Sequence, residues 1–408
     1  MSDNKFDEAL ALHKTLTGKL TVSSKMPADS KEALSLLYTP GVAAPCLEIA
    51  EDTNRSYEYT GRGNYVAVIT DGSAILGLGN IGPEAGMPVM EGKCLLFSEF
   101  SGINAVPLCI DTQNVEEIIK FVQLTGPSFG GINLEDISGP RCFEIERRLR
   151  ETMDIPVFHD DQHGTAIIVL AGVINALKLV GKKKETVQVV INGGGAAGLS
   201  IGRLLLEYGF ANVTICDING AIYEGDPTLN PAQADMAAKT NRRQDKGTLE
   251  EIIKGKDVFI GVSRGGLVSS DMIRSMAADA ICFAMANPIP EIYPQEAKEA
   301  GAKVVGSGRS DFPNQVNNVL VFPGVFRGAL DCHASDISEG MKLAAAAAIA
   351  AVAEQDGLRE DYILPDAFDK RVTINVAAAV AQAAAEEGIA RRPMTFEEEV
   401  EQAKAFVN

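Results

Sequence analysis

Short β-branched runs alternate with stretches of helical period along most of the chain. The runs 65–70, 105–110, 131–134 and 155–158 come first, with helical-period segments at 115–124 and 141–150 between the last three. Continuous apolar runs separated by helices of this length predict parallel strands covered on both faces, an α/β layer structure. The alternation resumes at 187–191, 213–216, 258–262, 281–285 and 303–306, which predicts a second α/β unit. Ahead of the first run, helices are expected over 6–20 and 31–37, the second stopped by Pro40 and Gly41. A further short helix is expected at 249–253. Near the end, alanine-rich helices at 341–354 and 373–387 carry no chemistry and are expected to pack back on the crevice or on a partner subunit. The polar span 226–247, with two prolines, reads as a surface excursion.

One turn anchors the second unit. After the run 187–191 comes GGGAAG, in which Gly193, Gly195 and Gly198 stand at G-x-G-x-x-G spacing around Ala196 and Ala197. Leu199, Ile201, Leu204 and Leu205 continue as an apolar helical stripe, and the next strand ends in Asp217. In a βαβ unit the first glycine makes the tight turn, the second admits a pyrophosphate and the third lets the helix approach the strand. The helix N-terminal amides then hold the phosphate. Strand, helix and an acid 19 residues beyond Gly198 agree, so the sequence predicts a dinucleotide site. Asp217 suits a ribose 2′-hydroxyl and repels a 2′-phosphate, which favours NAD over NADP; Arg242 and Arg243 are the side chains that can answer a phosphate instead. The turn at Ser263, Arg264, Gly265 and Gly266 is expected over the cofactor. These signals divide the chain into an α/β catalytic domain over 1–163 and a Rossmann-type dinucleotide domain with C-terminal helices over 164–408.

Composition narrows the partners. A formal net charge of -18 opposes binding to nucleic acid or to an anionic membrane. An anionic small substrate remains compatible, because a bound cation inverts the local field. Seven cysteines, without a C-x-x-C pair, are scattered through apolar runs and read as reduced core thiols. The charged N-terminus lacks the pattern of a signal peptide, and the alanine-rich block 343–353 is too short to cross a bilayer. A cytoplasmic enzyme is expected.

The first unit carries the candidate chemistry. Tyr38 precedes the Pro40 turn, either as a core ring with a satisfied hydroxyl or as a positioned proton donor. Residues 71–92 hold six glycines and two prolines and read as a long functional loop. Gly77, Gly79 and Gly82 repeat the dinucleotide spacing, but no clean helix is expected before Pro83. Lys93 closes the loop against an apolar run. To act as a base its pKa has to fall from about 10.4 to near neutrality, which burial beside a divalent cation can supply. The strand at 131–134 ends in Glu135 and Asp136, and the run at 155–158 leads to His159, Asp160, Asp161 and His163. In a parallel sheet these two ends lie side by side, where ligands bind. Converging carboxylates call for a cation, and oxygen ligands suit Mg²⁺ or Mn²⁺. The rivals are a Zn²⁺ site on His159 and His163, which requires both on one helix, and a solvated acidic loop that holds no ion.

In order and spacing, YTPGV, TDG…ILGLGNIG…GMPVMEGK, NLEDI, FHDDQHGTA and GGGAAG resemble the malic enzyme family. The resemblance implies divalent-metal-dependent oxidative decarboxylation of L-malate to pyruvate and CO₂ with reduction of NAD. It places Tyr38 as general acid and Lys93 as general base. It also makes Glu135, Asp136 and Asp161 the metal ligands, with Asp160 beside them. Asn287 and Asn318 match positions that meet the substrate carboxylates, Asn287 also facing the cofactor, although Asn before Pro288 can be a mere turn former. Larger members carry an arginine just after TDG; Ser73 and Ala74 stand there in this chain. Hydroxyl, amide and backbone groups, Ser73 among them, are therefore expected to hold that carboxylate, with help from a neighbouring subunit. The family further implies a homodimer with Tyr38 near the partner. Two rivals remain: a lyase that decarboxylates oxaloacetate on the same scaffold with little malate oxidation, and a non-catalytic regulator that binds NAD or a metabolite.

Overall fold

The structure, a computed structural model, describes residues 3–75 and 78–407; Gly77 of the second glycine pattern lies outside the described residues. It contains two parallel α/β sheets. The first joins β1 (Tyr65–Thr70), β2 (Asn104–Cys109), β3 (Gly131–Leu134) and β4 (Val157–His159) in the order β2-β1-β3-β4. The second joins β5 (Gln188–Asn192), β6 (Asn212–Asp217), β7 (Gly220–Ala221), β8 (Val258–Gly261), β9 (Ile281–Ala284) and β10 (Val304–Ser307) in the order β10-β9-β8-β5-β6-β7. Every neighbouring pair is parallel except β6 with β7.

Strand order fixes where a ligand can sit. In the first sheet the chain leaves β1 for β2 on one side and then crosses back to β3 on the other. In the second it leaves β5 for β6 and returns to β8 on the far side. Each reversal opens a crevice at the carboxyl ends of the two strands flanking it: β1 and β3 in one sheet, β5 and β8 in the other.

One long helix, Asp160–Val180, leaves β4 and runs into the core of the second half; it spans the expected division at 163. By length and composition it would serve to cross a membrane, but most of it is buried inside the fold, as for the core helix of a globular protein. It supersedes the block 343–353 as the longest apolar stretch. Its Ile167, Val169, Leu170 and Val173 share a core with Val66 and Phe97 of the first half and with Val189, Ile191 and Ile349 of the second. The C-terminal helices fold back as expected. Glu339–Gln355 packs on Asp160–Val180, and Lys370–Glu386 packs on Glu339–Gln355 and Phe322–Asp331. Phe322–Asp331 in turn lies on the helix Pro83–Ser101, where Phe97 meets Phe322 and Phe326 edge to face.

Two stretches differ from their sequence reading. Residues 83–101, expected as loop as far as 92, form a 19-residue helix with Pro83 in its first turn and Pro88 inside. Gly86, Met90, Lys93, Cys94, Phe97 and Ser101 make its buried face, and that packing outweighs the glycine and proline penalties. The span 226–247 is only partly a surface excursion. Asn230 and Gln233 form a capping box for the helix Pro231–Ala237, whose Met236 is fully buried.

Candidate active site

The carboxyl ends of β3 and β4 lie side by side, with Leu134 paired to His159. Glu135 and Asp136 therefore stand next to Asp160 and Asp161, the first residues of the long helix. Asp136 adopts a left-handed backbone (φ 52°), a conformation that short polar side chains tolerate and that clusters at ligand sites. Its N–H donates to Asp161 Oδ2 at 2.9 Å.

Lys93 enters from the helix Pro83–Ser101 and lies at the centre. Its Nζ donates to Asp160 Oδ2 at 2.6 Å, stands 3.0 Å from Glu135 Oε1, and sits 4.1 Å from the centre of the Phe322 ring. Asn318 Nδ2 donates to the same Asp160 oxygen. Lys93, Glu135, Asp136 and Asp160 are all buried, so the charges are felt at low dielectric. Burial works against the ammonium, but Asp160 and Glu135 outweigh it and hold the Lys93 pKa above its ordinary value. The sequence reading tied a depressed lysine to a neighbouring divalent cation; with both carboxylates turned on Nζ the pKa is raised instead. Burial raises Glu135 well above the carboxylate range and raises Asp160, in each case against the pull of Lys93.

Among the described residues, no three His, Cys, Asp or Glu side chains are arranged as a metal cage. The donor chemistry fits a hard cation, since Glu135, Asp136 and Asp161 offer only oxygens, and buried Asp160 Oδ1 makes no hydrogen bond. In the present rotamers the Lys93 ammonium supplies the positive charge. Helix Asp160–Val180 starts after His159, so the two histidines do not share it. His163 Nε2 is engaged by Glu146, 2.8 Å from Oε1 and 2.9 Å from Oε2, and Glu146 Oε1 also accepts the His159 N–H at 3.0 Å. Glu146 thereby braces the turn that carries Asp160 and Asp161, a role its place within the stretch 141–150 did not reveal.

Ser73 sits differently from its expected role. It is buried, donates to Asp71 Oδ1 at 2.5 Å, and accepts from Ser138 N–H at 3.0 Å and Arg141 Nη2 at 2.9 Å. Its hydroxyl is thus engaged by Asp71 of its own loop and by Ser138 and Arg141 beyond β3. Arg141, missed in the sequence, pairs with buried Asp71 at 3.0 Å and donates to Gln113 O at 2.6 Å. It ties the loop after β1 to the loop after β3.

The dinucleotide turn is built as its spacing predicts. Gly193 has φ 138°, and a Cβ on Gly198 would stand 1.8 Å from Gly193 O, so the helix Ala196–Tyr208 approaches the strand as only glycine allows. Gly195 faces open space, with nothing within 4 Å of a Cβ there. Asp217, at the end of β6, accepts the Asn219 N–H at 2.7 Å. Gln233, a residue the sequence reading passed over, donates to Gly194 O at 3.1 Å and reaches Asp217 Oδ2 at 3.4 Å. Asn287 is exposed just beyond β9, and a Cβ on Gly308 would stand 2.9 Å from its Nδ2.

The structure thus brings Lys93, Glu135, Asp136, Asp160, Asp161 and Asn318 together, and places the Gly193 turn and Asn287 on the neighbouring sheet. It leaves Tyr38 apart. That ring is 66% exposed, at the end of the helix Lys31–Leu37, with no side-chain hydrogen bond to the cluster.

Comparison with known proteins gives both halves the same assignment. Residues 17–150 match the model of the malic enzyme N-terminal domain, and residues 162–385 that of the malic enzyme NAD binding domain. A bifunctional malic/malolactic enzyme of Bacillus subtilis is 55% identical over 98% of this chain and 97% of its own length. An NAD-dependent malic enzyme of Geobacillus stearothermophilus is 53% identical over 95% and 81%. The crystal structure of malic enzyme from Pyrococcus horikoshii superposes with a TM-score of 0.95 at 47% identity, covering 98% of this chain and 95% of that one. Further relatives bear the name NADP-dependent malic enzyme. A buried lysine–carboxylate cluster at the ends of β3 and β4, a dinucleotide turn after β5 and these end-to-end likenesses agree: the chain belongs to the malic enzyme family.

Proposed function

We propose that this protein converts L-malate to pyruvate and CO₂ with NAD, supported by Mg²⁺ or Mn²⁺. The observation that carries the reading is the buried Lys93 ammonium, held by Asp160 and Glu135 at the carboxyl ends of β3 and β4. Glu135, Asp136 and Asp161 are the residues that would hold the cation. When bound, the cation would supply polarisation of the malate hydroxyl and the nicotinamide would supply the hydride acceptor for C2. With a cation rather than Nζ meeting the charge of the carboxylates, Lys93 would give up its proton and, as the neutral amine, take the proton of the hydroxyl, while Asp160 would keep the amine aimed. Asn318 and Asn287 orient the substrate through their side-chain amides. After CO₂ departs, C3 needs a proton, and Tyr38 supplies it from its phenol.

Tyr38 is 66% exposed and makes no side-chain hydrogen bond to the cluster of its own chain, so its source in this reading is a second copy. The helices Lys31–Leu37 and Ala43–Glu51 contain no buried residue. Phe6, Leu10, Leu36 and Leu47 expose 62%, 70%, 70% and 68% of their surface. An apolar arm of this kind marks a contact face, and a homodimer in which each arm lies on the partner delivers Tyr38 to the partner's Lys93. Mixing Tyr38→Phe and Lys93→Met dimers and letting them exchange tests this. Sharing across subunits restores about a quarter of wild-type activity, because hybrids carry one intact site; no recovery would place Tyr38 and Lys93 in the same chain's site.

NAD is favoured by Asp217 and by the placement of the two arginines. Asn241 N–H bonds Val213 O, four residues and about 13 Å from Asp217 along β6. Arg242 and Arg243 therefore start from the opposite end of that strand. The seven free cysteines suit a reducing compartment, in keeping with a cytoplasmic enzyme. Product analysis for both pyruvate and lactate separates a malic from a malolactic outcome; pyruvate is the expected product.

A further inference from the structure

Glu291 is fully buried, four residues beyond Asn287, and has no part in the chemistry above. Its carboxylate lies under the end of β8, where a Cβ on Gly261 would stand 2.5 Å from Glu291 Cδ. Oε1 accepts the Ser263 N–H at 3.0 Å, and Oε2 accepts the Ala286 N–H at 3.0 Å. The backbone around it is stitched to the same loop: Val268 N–H donates to Glu291 O, and Gly266 N–H to Pro290 O, each at 3.0 Å. Ser263 Oγ in turn accepts from Asn192 Nδ2 at 2.8 Å, at the end of β5. One carboxylate thus joins the carboxyl ends of β8 and β9 and, through Ser263, that of β5. These are three adjacent strands at the crevice of the second sheet.

Two acceptor oxygens are required for this arrangement. Hydrogen bonds to an ionised carboxylate are stronger and shorter than neutral ones, and each oxygen here serves an amide from a different strand. An apolar side chain would fill the volume and leave both amides unpaired. A glutamine would meet one amide with its oxygen and face the other donor to donor.

We propose that Glu291 is a positioning residue of the dinucleotide site, fixing the Ser263 turn and Asn287 at the separation that the nicotinamide end of the cofactor occupies. The proposal rests on the dinucleotide reading above. It predicts a defect confined to the cofactor side, because Glu135, Asp136 and Asp161 belong to the first sheet and its connections.

The test compares Glu291→Gln with wild type in two binding titrations on the full-length protein: NADH by its fluorescence, and Mn²⁺ by the loss of its free electron-spin-resonance signal. The expected result is a Kd for NADH raised about tenfold, the loss of one such contact, with the Kd for Mn²⁺ unchanged. NADH binding at wild-type strength would overturn the proposal. So would an equal loss for both ligands, which is the signature of general loosening. If Glu291→Gln does not fold, Glu291→Asp is read in the same way, since the shorter side chain keeps the charge but cannot span both amides. Failure of the wild-type protein to bind either NADH or NADPH would instead remove the dinucleotide reading, and this proposal with it.

Discussion

Replacing Lys93 with methionine probes the site most directly. The substitution keeps an unbranched side chain of similar length over Phe322 and removes the ammonium that lies 2.6 Å from Asp160 and 3.0 Å from Glu135. Both carboxylates are then buried without their counter-charge. Breaking a buried ion pair by removing one partner costs about 3–5 kcal/mol. The unfolding entropy is about 2.1 cal/mol/K per residue at the midpoint. For 408 residues that amounts to about 0.9 kcal/mol/K, so the thermal midpoint should fall by about 3–6 °C in the absence of divalent cation. Turnover with malate should fall by about 10²–10⁴, the range for loss of a general base. Mn²⁺ should recover part of the lost stability, because a cation held by the same carboxylates restores the missing charge. Calorimetry with EDTA and with Mn²⁺, beside steady-state rates, reads all three effects. A variant with the wild-type midpoint and wild-type turnover would refute the placement of Lys93 in the site.

Other expectations follow from single side chains. Burial would raise Glu146, but His163, Lys342 and His159 hold it down to about 2. Its contribution is therefore present above the ordinary carboxylate value and lost as pH falls from about 4.5 toward 2, worth about 3 kcal/mol; Glu146→Gln should flatten that acid limb in pH-dependent melting, and an unchanged limb would remove Glu146 as its source. Glu399 is the opposite case, since burial and neighbouring Asp331 push it up to about 9. Its folded form binds the proton more tightly, so stability is full below about pH 4.5 and is lost as pH rises toward 9. Glu399→Gln should melt higher than wild type at pH 8, with the gap closing near pH 5; a gap independent of pH would contradict this. Asp217→Ala should shift the kcat/KM ratio toward NADP by about tenfold, or about 1.4 kcal/mol, and an unmoved ratio would show that Asp217 does not set the choice.

Much of this was readable from local pattern. The strands around β1, β3, β5 and β6 announce themselves as β-branched runs, and the Gly193 turn carries its function in its spacing. The adjacency of Glu135 and Asp160 also followed from sequence, because consecutive parallel strands with one intervening helix commonly pair. The helix Pro83–Ser101 was obscured by its own composition: glycines and prolines suppress the local signal, while the face from Gly86 to Ser101 is decided by packing against Ile75 and Phe322. Arg141, Glu146, Gln233 and Glu291 were missed for a different reason. Each acts on residues distant from it in sequence, and a polar side chain on a helix face or in a turn looks the same whether it braces a site or meets water. The orientation of the groups around Lys93 was not legible because sequence shows that carboxylates are near, not which way they turn.

The central claim is the coupling of malate oxidation to decarboxylation. Purified protein should be incubated with L-malate, Mn²⁺ and either NAD⁺ or NADP⁺ while reduced cofactor and pyruvate are followed together. NADH and pyruvate should appear in equal amounts, with slower turnover on NADP⁺. Reduced cofactor accompanied by oxaloacetate without pyruvate, or pyruvate formed only from added oxaloacetate with no cofactor reduced, would contradict the coupling.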